Sequence, residues 1–110
     1  MNLTSEYTQM PENLSDTGKL AYKTVMKTMK NAGFGFDTGG CVTFYSPIQW
    51  RATNSEYGLN SELIIVYDGG IVGEFFEDGA FAGLMIDALN EVGLYSEPCT
   101  CWYSAVYRKD

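Results

Sequence analysis

Glu62-Leu63-Ile64-Ile65-Val66-Tyr67 is the stretch whose reading decides the fold. From Leu63 to Tyr67 the side chains are apolar without alternation, so a strand built from them has to be covered on both faces, or nearly so. Asp68-Gly69-Gly70 follows as a tight turn, and Ile71 to Phe76 then reads as a short fourth strand, weakened by Gly73. Upstream, Cys41 to Tyr45, and downstream, Cys99 to Tyr107, show the same enrichment in β-branched and aromatic residues between turn formers.

Around these strands lie segments with the period of a helix. Ser15 or Asp16 offers an N-cap oxygen to the free amides of a first turn, and Gly33 supplies the left-handed residue that ends the helix. Between those caps Ala21, Tyr22, Val25, Met29 and Ala32 share one face, and Lys19, Lys23, Lys27 and Lys30 share the opposite one. Gly18 costs about 1 kcal/mol relative to Ala inside a helix, which leaves the start defined only to within a turn. A second helix is expected from Ala80 to Val92, capped by Asp78 and stopped by Gly93. Phe81, Leu84, Met85, Ala88 and Val92 form its expected apolar face, with Gly83, Asp87, Asn90 and Glu91 on the other. Ser46-Pro47-Ile48-Gln49 has the form of a capping box with proline at the first helical position, and predicts a short helix near Pro47 to Thr53.

The order of elements suits an α+β fold: an antiparallel sheet of three to four strands with two main helices packed on one face. Residues 1–13 show no period and read as a flexible N-terminal arm that Leu3, Tyr7 and Met10 can dock, and residues 14–110 read as a single domain. An internal echo aligns Cys41-Val42-Thr43-Phe44-Tyr45-Ser46 with Cys99-Thr100-Cys101-Trp102-Tyr103-Ser104, each following a helix that ends in glycine. It marks a duplicated helix-strand unit, two neighbouring strands with similar packing demands, or chance.

At 110 residues the chain is long enough for one domain that buries roughly two thirds of its unfolded surface. Its hydrophobic content of 45% argues against disorder. There is no run of 18 apolar residues, and Met1 to Asn13 has neither a basic nor an apolar signal region, so cytoplasmic residence is expected. Three cysteines, an odd number, then read as free thiols.

Histidine is absent, which removes the commonest general base, the usual partner of a nucleophilic Ser or Cys, and the commonest zinc ligand. No P-loop, Rossmann glycine turn, nucleophile elbow or zincin helix occurs. Cys99-x-Cys101 puts two thiols on one side of a strand, and Cys41 approaches them if the echo reflects adjacency. Zinc ligands usually come as Cys-x2-Cys pairs from a turn, so small buried hydrophobes are the preferred reading. Glu74, Glu77 and Asp78 lack the Asp-x-Asp-x-Asp-Gly pattern of a calcium loop. The expectation is no enzyme, no cofactor and no metal.

Charge is the remaining signal. Residues 1–51 carry five basic and four acidic side chains, residues 52–110 two and ten, giving +1 and −8. A field of that sign repels nucleic acid and acidic membranes and favours a basic protein surface, expected here to belong to a nucleic-acid-binding protein or complex. In Gly73-Glu74-Phe75-Phe76-Glu77-Asp78-Gly79 two aromatic rings sit among three carboxylates, in the pattern of interface anchors within a polar rim. The competing assignment has both rings closing the bottom of the core. Glu74, Phe75, Phe76, Glu77, Asp78, Asp87, Glu91, Trp50 and Tyr57 are the expected partner-binding residues.

In size, acidity and lack of catalytic motifs the chain resembles the small phage proteins that inhibit host defence, among them anti-CRISPR and antirestriction proteins. The resemblance lies in general character across the whole chain, and it implies a non-enzymatic inhibitor acting by acidic mimicry. Lys19, Lys23, Lys27 and Lys30 oppose such mimicry on their own face. Two other classes stay open: a module that self-associates by pairing the lysine stripe of one copy with the acidic helix of another, and a cysteine-dependent small-molecule binder or enzyme.

Overall fold

In a computed structural model that describes residues 10–33, 43–52, 60–67, 76, 80–100 and 103–109, the elements run α1 (Asp16–Asn31), β1 (Thr43–Tyr45), α2 (Pro47–Arg51), β2 (Leu63–Val66), α3 (Ala80–Glu91), β3 (Leu94–Pro98) and β4 (Tyr103–Arg108). The four strands form one antiparallel sheet in the order β1-β2-β4-β3. The fold is α+β.

Local chemistry explains where the helices begin and end. Ser15 caps α1, its Oγ accepting from the Gly18 amide at 3.0 Å, and Gly33 follows the helix at φ +89°. Gly18 sits inside the first turn because nothing larger fits. A Cβ there would lie 2.6 Å from the Glu62 carbonyl oxygen and 2.9 Å from Leu14 Cδ2. The capping box of α2 is complete: the Gln49 amide donates to Ser46 Oγ at 3.1 Å, and the Ser46 amide to Gln49 Oε1 at 3.0 Å. α3 gives way at Gly93, whose φ of +78° turns the chain directly into β3.

β2 shows why its sequence lacks alternation. Leu63, Ile65 and Tyr67 face a cluster that includes Ala21, Val25 and Met29 of α1 and Met85 and Leu89 of α3. Ile64 faces the opposite way, into a cluster with Trp50 of α2 and Tyr103 and Ala105 of β4, and Val66 packs against it. Leu63, Ile64 and Ile65 are fully buried. The two main helices therefore share one face of the sheet, and the five-residue α2 sits on the other with a single indole as its buried contribution. Where tyrosine enters the core its hydroxyl is satisfied: Tyr67 Oη and Ser104 Oγ lie 2.9 Å apart, both buried.

The strand expected over Cys99 to Tyr107 is a hairpin instead. β3 precedes it, and Cys99 and Thr100 form part of the turn into β4, the Cys99 amide donating to the Tyr103 carbonyl at 3.1 Å. β3 escapes the sequence pattern because only Leu94 of its five residues faces the core. It is an edge strand, and Pro98, which lacks an N–H, ends it in a manner suited to an edge. The strand expected over Ile71 to Phe76 lies outside the described residues except for Phe76, and so do residues 1–9 of the expected arm.

The echoed segments are not neighbours. β1 and β4 flank β2 on its two sides, both antiparallel to it. The aligned Tyr45 and Tyr103 meet the same indole, with centroids 5.2 and 4.9 Å from Trp50. Among the described residues no helix is long and apolar enough to cross a membrane.

Candidate protein-binding surface

α3 was expected to bury Phe81, Leu84, Met85, Ala88 and Val92, but the helix is rotated from that position. Met85 and Leu89 are buried and Phe81 packs against the same cluster, a strict four-residue spacing. Leu84 and Ile86 are 50% and 52% exposed, and Val92, just past the helix, 37%. Asp87 and Glu91 are exposed, one turn apart on the side away from Met85 and Leu89. The outer surface of α3 thus combines two carboxylates with half-exposed aliphatic side chains, and α3 itself contains no Lys or Arg. A basic group reaches its end from elsewhere: Lys109 Nζ donates to Asn90 Oδ1 at 2.8 Å.

Beside α3 lies α1, with Lys19, Lys23, Lys27 and Lys30 all exposed. Between the helices runs a groove made of two adjoining hollows. One, of 310 Å³, is lined by Thr24, Lys27, Thr28, Asn31, Ala88, Glu91 and Val92. The other, of 260 Å³, is lined by Thr28, Asn31, Ala32, Leu84 and Ala88. Thr24 therefore lies level with Val92, and Ala32 with Leu84, so the two helices are antiparallel. The threonine hydroxyls are used within α1, donating to Leu20 O at 2.8 Å and Thr24 O at 2.7 Å.

Two of the aromatic residues expected at a partner surface belong to the core. Trp50 is 3% exposed and Phe76 4%. Phe76 stacks on Tyr67 with centroids 5.4 Å apart and planes at 7°. Trp50 is held between Tyr45 and Tyr103 because the face of the sheet opposite α1 and α3 needs a large side chain to close it. Asp87 and Glu91 are at the surface, as the pattern implied. Glu74, Phe75, Glu77, Asp78 and Tyr57 lie outside the described residues. The exposed aliphatic side chains that sequence reasoning missed are Leu84 and Ile86, and the available signal was Leu89: once it joins Phe81 and Met85, the core-facing stripe is complete without Leu84.

Cys99 is the described cysteine whose chemistry can be judged. It is partly buried, with its Sγ 3.7 Å from the Glu97 carbonyl. Burial pushes the thiol up from its usual range, the nearby Glu97 carboxylate adds to this, and a hydrogen bond with the Ala105 backbone opposes it. Such a thiol is mostly protonated at neutral pH and is a poor nucleophile. Cys41 and Cys101 lie outside the described residues. Among the described residues no three His, Cys, Asp or Glu side chains are grouped to hold a metal ion.

Comparison with models of protein families, with curated proteins and with solved structures finds no match to this chain.

Proposed function

We propose that this is a small non-enzymatic protein that binds and blocks a basic surface of a nucleic-acid-handling protein, in the manner of the anti-CRISPR and antirestriction inhibitors it resembles in general character. The observation that carries this reading is the outer surface of α3, where exposed Asp87 and Glu91 stand beside half-exposed Leu84 and Ile86. The segment leading into this helix holds Glu74, Glu77 and Asp78, within the half of the chain whose net charge is −8. Carboxylates steer a basic partner into encounter, and desolvated aliphatic side chains slow its departure. The raised thiol of Cys99 does not favour the cysteine-dependent alternative.

The reading assigns separate kinetic roles to the two kinds of side chain. A target is identified by affinity capture from bacterial lysate at low and moderate salt, and its binding is then timed against purified protein. Asp87→Lys with Glu91→Lys is expected to slow association about tenfold and to remove most of its salt dependence. Leu84→Ala with Ile86→Ala is expected to speed dissociation at an unchanged association rate. Unaltered rates in both variants would take α3 out of the binding surface.

A further inference from the structure

The α1 and α3 surface carries both signs of charge in a repeating arrangement, and that arrangement is self-complementary. Lys27 and Glu91 line the same hollow, within about two residues, or ~3 Å, of the same level along the groove. Because the helices are antiparallel, moving forward along α1 and backward along α3 advances in one direction at about 1.5 Å per residue. Lys30, three residues on from Lys27, comes roughly level with Asp87, four residues back from Glu91.

A two-fold axis running along the groove, parallel to the helices, exchanges left for right and preserves level. It lays α1 of a second copy over α3 of the first. We infer that this face is a two-fold interface between two copies of the chain, with Lys27 of each over Glu91 of the other and Lys30 over Asp87. The inference uses the same surface as the proposed function but does not rest on that function.

Three observations point to a second copy as the occupant. A foreign partner would need its own alternating stripes at this spacing, whereas a copy of the chain has them by symmetry. Among the described residues, four of the seven exposed large hydrophobic side chains belong to this helical layer: Leu20, Leu84, Ile86 and, just past α3, Val92. The groove wall also costs little to cover, since the Thr24 and Thr28 hydroxyls already donate within α1. The surface is small. Two helices, the longer of 16 residues, present a projected face on the order of 500 Å² at ~1.5 Å rise per residue and ~10 Å helix width. That places the dimer at the weak, reversible end of specific interfaces, with ion pairs between exposed side chains that salt will loosen.

The test is the molar mass of the full chain by light scattering and sedimentation across protein concentration, at low salt and at roughly 0.5 M salt. At low salt the mass is expected to rise with concentration toward twice 12.2 kDa, and at high salt to return to the monomer value. Lys27→Glu with Lys30→Glu, and separately Asp87→Lys with Glu91→Lys, should each be monomeric. An equimolar mixture of the two variants should restore the dimer. Leu84→Arg, at the groove wall, provides an independent break, and circular dichroism checks that each variant is folded. A chain that stays monomeric at every concentration at low salt overturns the inference. So does a dimer that survives both charge variants, or a mixture of folded variants that fails to associate. Because the dimer covers the face assigned to a basic target, target capture is timed separately, at concentrations and salt where light scattering shows the chain to be monomeric.

Discussion

The two faces of the sheet are closed in different ways. On one, α1 and α3 lay down Ala21, Val25, Met29, Met85 and Leu89, so the cover is spread over two helices and many aliphatic contacts. On the other, α2 contributes Trp50, which touches Tyr45 and Tyr103 and packs with Ile64 and Ala105. A distributed cover leaves the outer surfaces of its helices free for charge and for contact, and that is where the lysine stripe and the Asp87–Glu91 pair are found. A concentrated cover makes one side chain indispensable.

Trp50→Ala is the substitution that should separate the faces most sharply. It removes the whole of α2's buried contribution, and α2, at five residues, has no second buried side chain to fall back on. Loss of a buried Trp costs about 3–5 kcal/mol where neighbours cannot collapse into the space. Met85→Ala on the helical face should cost less, about 2–3 kcal/mol, because α1 and α3 can close part of the gap. Urea unfolding of both variants measures the difference, and an equal or larger loss for Met85→Ala would end the contrast.

Inner and outer positions of the helical cover can be compared through two glycines. Helix propensity alone makes Gly→Ala favourable by about 1 kcal/mol. Gly83 on α3 has nothing within 4 Å of an added Cβ, so Gly83→Ala should gain about that amount. Gly18 on α1 would push its Cβ against the Glu62 carbonyl, which belongs to the backbone and cannot swing aside. Gly18→Ala is therefore expected to destabilise by about 1–3 kcal/mol, the usual cost of overpacking. Opposite signs in thermal unfolding are the expected result. A stabilising Gly18→Ala would mean that α1 stands off from the segment entering β2.

The contrast between faces was only half legible in the amino-acid order. Strong local signals survived folding: the Ser15 cap, the Ser46 capping box, Gly33, Gly93 and the unbroken apolar run of β2 all correspond to observed features. What local pattern could not supply was direction. In α3, apolar residues at 81, 84, 85, 86, 88, 89 and 92 fit more than one stripe, and which of them is buried depends on where α1 stands. Trp50 and Phe76 look like surface anchors when only their neighbours in the chain are considered. They become core residues once the sheet supplies an uncovered face to Trp50 and a ring of Tyr67 to Phe76. β3 was missed for a similar reason, since a strand with Tyr95, Glu97 and Pro98 exposed carries almost no apolar alternation. Of the residues expected at the binding surface, only Asp87 and Glu91 are both described and exposed. The cost of burying a charge places such residues at the surface whichever apolar stripe the helix turns inward.

Alkaline pH gives the smallest and most selective way to distinguish the faces. Cys99 and Tyr107 lie on the aromatic side, and both are raised above their usual values first of all by burial. Tyr107 is pushed further by Cys99 and by Glu97, with Tyr95, stacked on it at 5.4 Å, and Tyr103 adding to the effect. On the helical side Tyr22, edge-on to Phe44 at 4.9 Å, is raised by burial. A folded-state value above the unfolded one means that the folded protein holds its protons longer. The associated stability is complete below the unfolded values and is lost as pH rises past them. Unfolding free energy should hence be unaffected by these groups up to about pH 8, and decline from the usual thiol value of 9.0 through the tyrosine value of 10.0. The aromatic side should respond first, because it holds the thiol, whose ordinary value of 9.0 lies below the tyrosine value of 10.0. In a Trp102→Phe background, the fluorescence of Trp50 is expected to change at lower pH than the helical circular dichroism, and Cys99→Ser to delay that change. Coincident transitions that ignore Cys99→Ser would show the two faces to be coupled as one unit.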